Sequence, residues 1–104
     1  QVALSRGLAE TTAGSQVTVN TVLPGPTRSE GVETFIEGLA KEQNISPEQV
    51  EEEFFTNMRP SSLIQRFAKT SEVAALVAFV ASPAASAING AALRVEGGVV
   101  RSIV

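Results

Sequence analysis

The chain has 104 residues and 43% apolar residues, enough for one small folded domain and too apolar for a disordered one. Its formal net charge is −3, its eight Lys and Arg residues are scattered, and no apolar run approaches the roughly 20 residues that cross a bilayer, so neither a nucleic-acid nor a membrane partner is expected. With no His or Cys, the usual transition-metal ligand sets and Ser-His or Cys-His nucleophiles are excluded, and the lack of any disulfide fits a cytoplasmic location.

Gln1 opens the chain inside an amphipathic pattern, without a charged or apolar leader, and this reads as a piece of a longer polypeptide. Residues 1–13 read as the end of a helix, with Leu4, Leu8 and Thr11 at helical spacing and Gly14 as the stop. Residues 17–23 (VTVNTVL) have the β-branched, nearly all-apolar pattern of a parallel strand buried on both faces. Pro24-Gly25-Pro26 ends it in a tight turn, with Gly25 able to take positive φ.

A helix follows, with Val32, Phe35, Ile36 and Leu39 on one stripe, Ser29 as its cap and Glu30 and Glu33 in its first turn. Asn44-Ile45 breaks the pattern. Ser46, Pro47 and Gln49 then form a capping-box start to a helix that runs to about Met58 and stops before Pro60. A third helix begins near Thr70 or Ser71, with a core stripe of Val73, Leu76, Val77 and Val80, and ends at Ser82-Pro83. After a turn at Asn89-Gly90, residues 91–95 (AALRV) read as a second strand, closed by Gly97-Gly98. Two strands joined by a long helical crossover imply a parallel pair in an α/β fold. Two such strands make a poor sheet alone, so a missing partner is expected.

The general acid and base candidates are Glu, Lys41 and Lys69, and the run Glu51, Glu52 and Glu53 reads as a solvated helix face.

Residues 16–29 (QVTVNTVLPGPTRS) resemble the strand and turn V-N-x-V-x-P-G of the short-chain dehydrogenase/reductase family. Residues 3–10 (ALSRGLAE) look like the end of that family's catalytic helix. Residues 66–74 (RFAKTSEVA) are similar to its R-F-x-x-x-x-E-V-A segment, and residues 88–98 (INGAALRVEGG) to its closing G-x-x-x-x-V-D-G-G, with Glu96 in place of Asp. The resemblance implies the C-terminal portion of a Rossmann-type doubly wound parallel sheet, residues 1–104 being part of one domain and 30–60 its substrate-lid helices. It implies an NAD- or NADP-dependent oxidoreductase that moves hydride between the cofactor and an alcohol or carbonyl substrate. The family's glycine-rich turn, catalytic Ser and Tyr-x-x-x-Lys are not in this chain, which has no Tyr at all. The chain alone is therefore expected to be inactive. The alternative is a non-enzymatic interaction or oligomerisation fragment.

Pro24, Gly25, Thr27 and Ser29 are the candidate cofactor contacts. Turn chemistry and a helix cap account for these residues by themselves. The resemblance adds that backbone groups near Thr27, and the hydroxyls of Thr27 and Ser29, meet the neutral carboxamide of nicotinamide. Asn20 is expected to satisfy backbone groups at a strand edge. Phe35, Ile36, Leu39, Phe54, Phe55 and Met58 are expected to pack their helices, some of them lining a substrate pocket. Arg66 is expected in a surface or structural ion pair, and Glu96-Gly97-Gly98 at a strand exit and subunit contact. The expected partners are identical copies or the missing N-terminal part.

Overall fold

The computed structural model describes residues 1–103. In chain order its elements are α1 (Val2–Glu10), β1 (Thr21–Pro24), β2 (Thr27–Arg28), α2 (Glu30–Gln43), α3 (Pro47–Asn57), β3 (Ala68–Lys69), α4 (Thr70–Val80), a 3₁₀ turn (Pro83–Ala85) and β4 (Ala92–Val95). They belong to two units. One contains residues 1–24 and 71–95; the other contains residues 25–70 and 96–103.

In the first unit β1 and β4 pair in parallel, with Thr21 opposite Ala92 and Pro24 opposite Val95. The expected parallel pair is therefore present, but β1 is shorter than the 17–23 pattern suggests. Residues 17–20 run outside the ladder. They are tied down by one backbone bond, the Gly90 N–H donating to the Val19 carbonyl at 2.9 Å, and by side chains: the Val19 N–H donates to Asn89 Oδ1 at 2.8 Å, and the Ala91 N–H donates to Asn20 Oδ1 at 3.0 Å. A strand needs a neighbour to satisfy its backbone, and β4 extends over only four residues. Both strands are half-buried rather than buried on both faces. Helix α1 ends at Glu10, short of the expected boundary, in a run of turns that reaches Gly14 at φ +78°. The buried apolar residues of this unit are Ala9 and Ala85 among the described residues.

Helix α4 departs most from expectation. It is the most apolar of the helices, yet none of its residues is buried, and Val77, placed in the core stripe by periodicity, is 49% exposed. Periodicity identifies an apolar face but not whether a neighbour exists to cover it.

In the second unit Ser29 caps α2, its Oγ accepting from the Val32 N–H at 3.4 Å, and Asn44 ends the helix in the left-handed conformation at φ 56°. Ser46 caps α3 by accepting from the Gln49 N–H at 3.1 Å, with Pro47 in the first turn. The two helices pack together around Ile36, Ala40, Val50, Phe55 and Phe67, with Val32, Leu39, Ile45 and Phe54 against them. Phe35, assigned to the same stripe by spacing, is 64% exposed. A second parallel pair, absent from the periodicity reading, joins β2 to β3 with Thr27 opposite Ala68 and Arg28 opposite Lys69. Two-residue strands are too short for any alternation to register in the sequence.

Candidate functional site

Pro24 closes β1 as a ladder partner of Val95, so it ends a strand rather than opening a turn. Gly25 begins the second unit, and its φ is not positive: the positive-φ glycines are Gly14, Gly90, Gly97 and Gly98. The expectation that this position needs glycine for a left-handed turn is thus corrected. Space is the reason instead. A Cβ built on Gly25 would lie 2.6 Å from Glu96 Cβ and 2.7 Å from Glu96 Cα, too close for any side chain without backbone movement.

Beyond Gly25 the turn binds itself. Thr27 Oγ1 donates to the Gly25 carbonyl at 2.8 Å, and the Ser29 N–H donates to the Thr27 carbonyl at 2.9 Å. The Pro26 carbonyl accepts from the Ala68 N–H at 2.9 Å, which starts the β2–β3 pairing. Thr27 is half-buried and its hydroxyl proton is committed to the turn. Ser29 is exposed, and its oxygen accepts a cap bond while its proton is left to donate.

Between these two hydroxyl residues lies Arg28, which the sequence reading did not single out. Its Nε donates to Glu33 Oε1 at 2.6 Å and its Nη1 to Glu51 Oε2 at 2.9 Å. The hydrogen bond to Glu33, then the charge of Glu51, hold the guanidinium above its ordinary pKa, so it stays cationic at any working pH. The other Glu51 oxygen accepts from the Phe67 N–H at 3.0 Å. Glu51 is therefore not part of a solvated face: its side chain is 19% exposed, whereas Glu52 and Glu53 do face solvent. Three successive acids on a helix point in three directions 100° apart, and composition alone cannot say which one turns inward. Arg28, Glu51 and Phe67 border an open cleft of about 700 Å³, also lined by Phe55, Gln65, Arg66 and Lys69.

Phe67 stacks on Phe54 with centroids 5.1 Å apart and meets Phe55 edge-on at 5.0 Å. Of the apolar residues assigned to the two helices, Ile36 and Phe55 are buried, Leu39 and Phe54 pack on the core, and Phe35 and Met58 are exposed. Asn20, in the first unit, also donates from Nδ2 to the Ile88 carbonyl at 3.0 Å, the structural role expected of it. Glu96 Oε2 accepts from the Val100 N–H at 2.8 Å, and the Gly97 carbonyl accepts from the N–H groups of Leu63 and Ile64. Arg66 donates to the Phe67 carbonyl at 3.1 Å. No cluster of three or more metal-ligating side chains occurs among the described residues.

Residues 1–100 match a family model described as enoyl-(acyl carrier protein) reductase. The chain is 50% identical over 103 residues to the uncharacterized oxidoreductase YvaG of Bacillus subtilis, covering 99% of this chain and 39% of that protein. It is 52% identical over 102 residues to the uncharacterized oxidoreductase YvrD of the same organism, covering 98% of this chain and again 39% of the relative. In three dimensions it is similar to YwfH, an NADPH-dependent reductase involved in bacilysin biosynthesis, with a TM-score of 0.75 and 28% identity over 98% of this chain and 37% of that one. The chain thus spans about 39% of the length of the curated relatives it matches.

Proposed function

Because this chain belongs to the short-chain dehydrogenase/reductase family, we propose that it forms one wall of the nicotinamide site of an NAD(P)-dependent oxidoreductase. The reaction is hydride transfer between the cofactor and an alcohol or carbonyl carbon. The observation that carries this reading is the turn that follows Pro24, which leaves the carboxyl end of a parallel strand, where open α/β sheets bind their ligands. Its donor set fits the group. The hydroxyls are neutral, and Glu30 and Glu33 in the first turn of α2 disfavour a phosphate there while tolerating an uncharged carboxamide.

When bound, the nicotinamide supplies the hydride chemistry. This chain's residues bind and orient. Ser29 donates its hydroxyl proton to the carboxamide, its oxygen preset by the cap bond from Val32. Thr27 shapes the turn through Gly25, and Pro24 and Gly25 bring backbone close to the ring. Helices within 30–60 act as the substrate lid, with exposed Phe35 and Met58 as its apolar contacts. The NADPH dependence named for YwfH supports NADP(H) as the cofactor. The proton-transfer Tyr lies outside this chain, which has none, so residues 1–104 alone transfer no hydride. The lack of any Cys supports a cytoplasmic setting, and no helix among the described residues is long and apolar enough to cross a membrane. The uncovered face of α4 supports assembly with identical copies or with the rest of a longer polypeptide, and favours an oligomerisation element as the second reading.

The test is NADPH and NADH titration of the full-length protein. Ser29→Ala should weaken binding by about 0.5–1.5 kcal/mol, one neutral hydrogen bond. Gly25→Val should weaken it further by displacing the Glu96 backbone. A full-length protein that binds neither nucleotide, or a folded Gly25→Val protein with unchanged affinity, overturns the reading.

A further inference from the structure

The second unit brings three segments of the chain to one carboxylate. Glu51 on α3 reaches Arg28 in the turn at 2.9 Å and the Phe67 N–H at 3.0 Å, and Phe67 leads directly into β3, the partner of β2. Arg28 sits between Thr27 and Ser29, so any movement of its backbone moves both hydroxyls. Glu33 also holds Arg28, but from α2, whose N-cap is Ser29 itself, and so it tethers the turn only to its own continuation. Glu51 is different: it is 23 residues away in sequence and belongs to the other helix. It is also the less exposed carboxylate, 19% against 52% for Glu33, so solvent screens it less.

We propose that Arg28 and Glu51 form a positioning pair that couples helix α3 to the cofactor turn, so that the placement of α3 sets Ser29 and binding at the turn in turn fixes α3. Neither residue touches reacting atoms. The pair acts through Ser29, and the inference rests on the nicotinamide reading of that turn. Coupling of this kind is reciprocal: an element that biases a site is biased equally by the site's ligand. The aromatic group of Phe54, Phe55 and Phe67 gives the carboxylate a rigid base, since all three rings pack within 5.0–5.1 Å of one another.

Glu51→Gln is the informative change, because its amide oxygen can still accept from Phe67 while the charge that holds Arg28 is gone. In the full-length protein this variant should raise the Kd and KM for NADPH by about fivefold or more, the low end of ordinary site coupling, and leave kcat nearly unchanged. Arg28→Gln should do the same, and the double variant should be no worse than the worse single one. Glu53→Gln removes the same charge from an exposed site on α3 and should leave Kd at the wild-type value. Hydrogen exchange supplies a readout independent of turnover. In the wild type, NADPH should slow exchange of the Phe67 amide; in Glu51→Gln that slowing should vanish even at saturating NADPH. Wild-type nucleotide affinity in both folded variants, or retained protection of Phe67, overturns the pair while leaving the cofactor reading intact. A wild-type protein that binds neither NADPH nor NADH overturns both.

Discussion

Asn20 supplements the backbone pairing where the β1–β4 ladder begins. Its side chain donates to the Ile88 carbonyl and accepts from the Ala91 N–H, both at 3.0 Å, beside the backbone bond from the Gly90 N–H to the Val19 carbonyl. Replacing it by Ala leaves two backbone groups without these partners, a loss of about 1–3 kcal/mol if water cannot reach them. Chemical denaturation should show that loss, and a midpoint equal to wild type would mean that water replaces both bonds. Gly25 makes a contrasting case at the same scale. Its backbone needs no special φ, but Glu96 occupies the space of its Cβ down to 2.6 Å. Gly25→Ala should therefore destabilise by about 1–3 kcal/mol, as overpacking does, and wild-type stability in that variant would contradict the close approach.

At the scale of elements, the caps behave as their residue types dictate. Ser29, Ser46 and Pro47 all stand where helix starts need them, and Asn44 takes the left-handed stop. Side-chain direction within a helix is where spacing misleads. Phe35 and Ile36 are adjacent members of one apolar stripe, yet Ile36 is 2% exposed and Phe35 is 64% exposed. The stripe is wider than the surface α3 presents to it. Phe55→Ala should cost about 3–5 kcal/mol, the usual range for a buried ring. Phe35→Ala should change stability by less than about 0.5 kcal/mol. Thermal melts of the two variants would distinguish them, and equal shifts would show that the exposed ring is packed in solution.

For the whole molecule, the first unit is the weak part. Its buried apolar residues are two alanines, while α4 buries none of its eleven residues and Leu4 and Leu8 of α1 are 76% and 54% exposed. Burial at about 25 cal/mol per Å² cannot offset the entropy of ordering residues that hide so little surface. The chain should therefore associate, with itself or with a polypeptide carrying the rest of the sheet. Light scattering should report a particle heavier than the 10.9 kDa of one chain. A monodisperse species of that mass, unfolding in a single sharp transition, would refute the expectation.

Local chemistry determined a good part of this protein by itself. Caps, breaks and prolines act within a few residues, so α2, α3 and their boundaries could be read directly, and the four family-like segments placed the chain in its α/β family. The run 17–23 announced a strand, but the length of β1 was decided by β4, because a ladder extends only as far as its neighbour. The burial of Ile36 over Phe35, and of Glu51 over Glu52 and Glu53, was decided by what lies opposite each side chain. So was the reason for Gly25, which depends on Glu96, 71 residues later. The Arg28–Glu51 pair and the two-residue strands β2 and β3 leave no periodic trace, since each depends on segments distant in sequence meeting in space. Periodicity records which residues avoid water; only tertiary packing determines which of them find a partner.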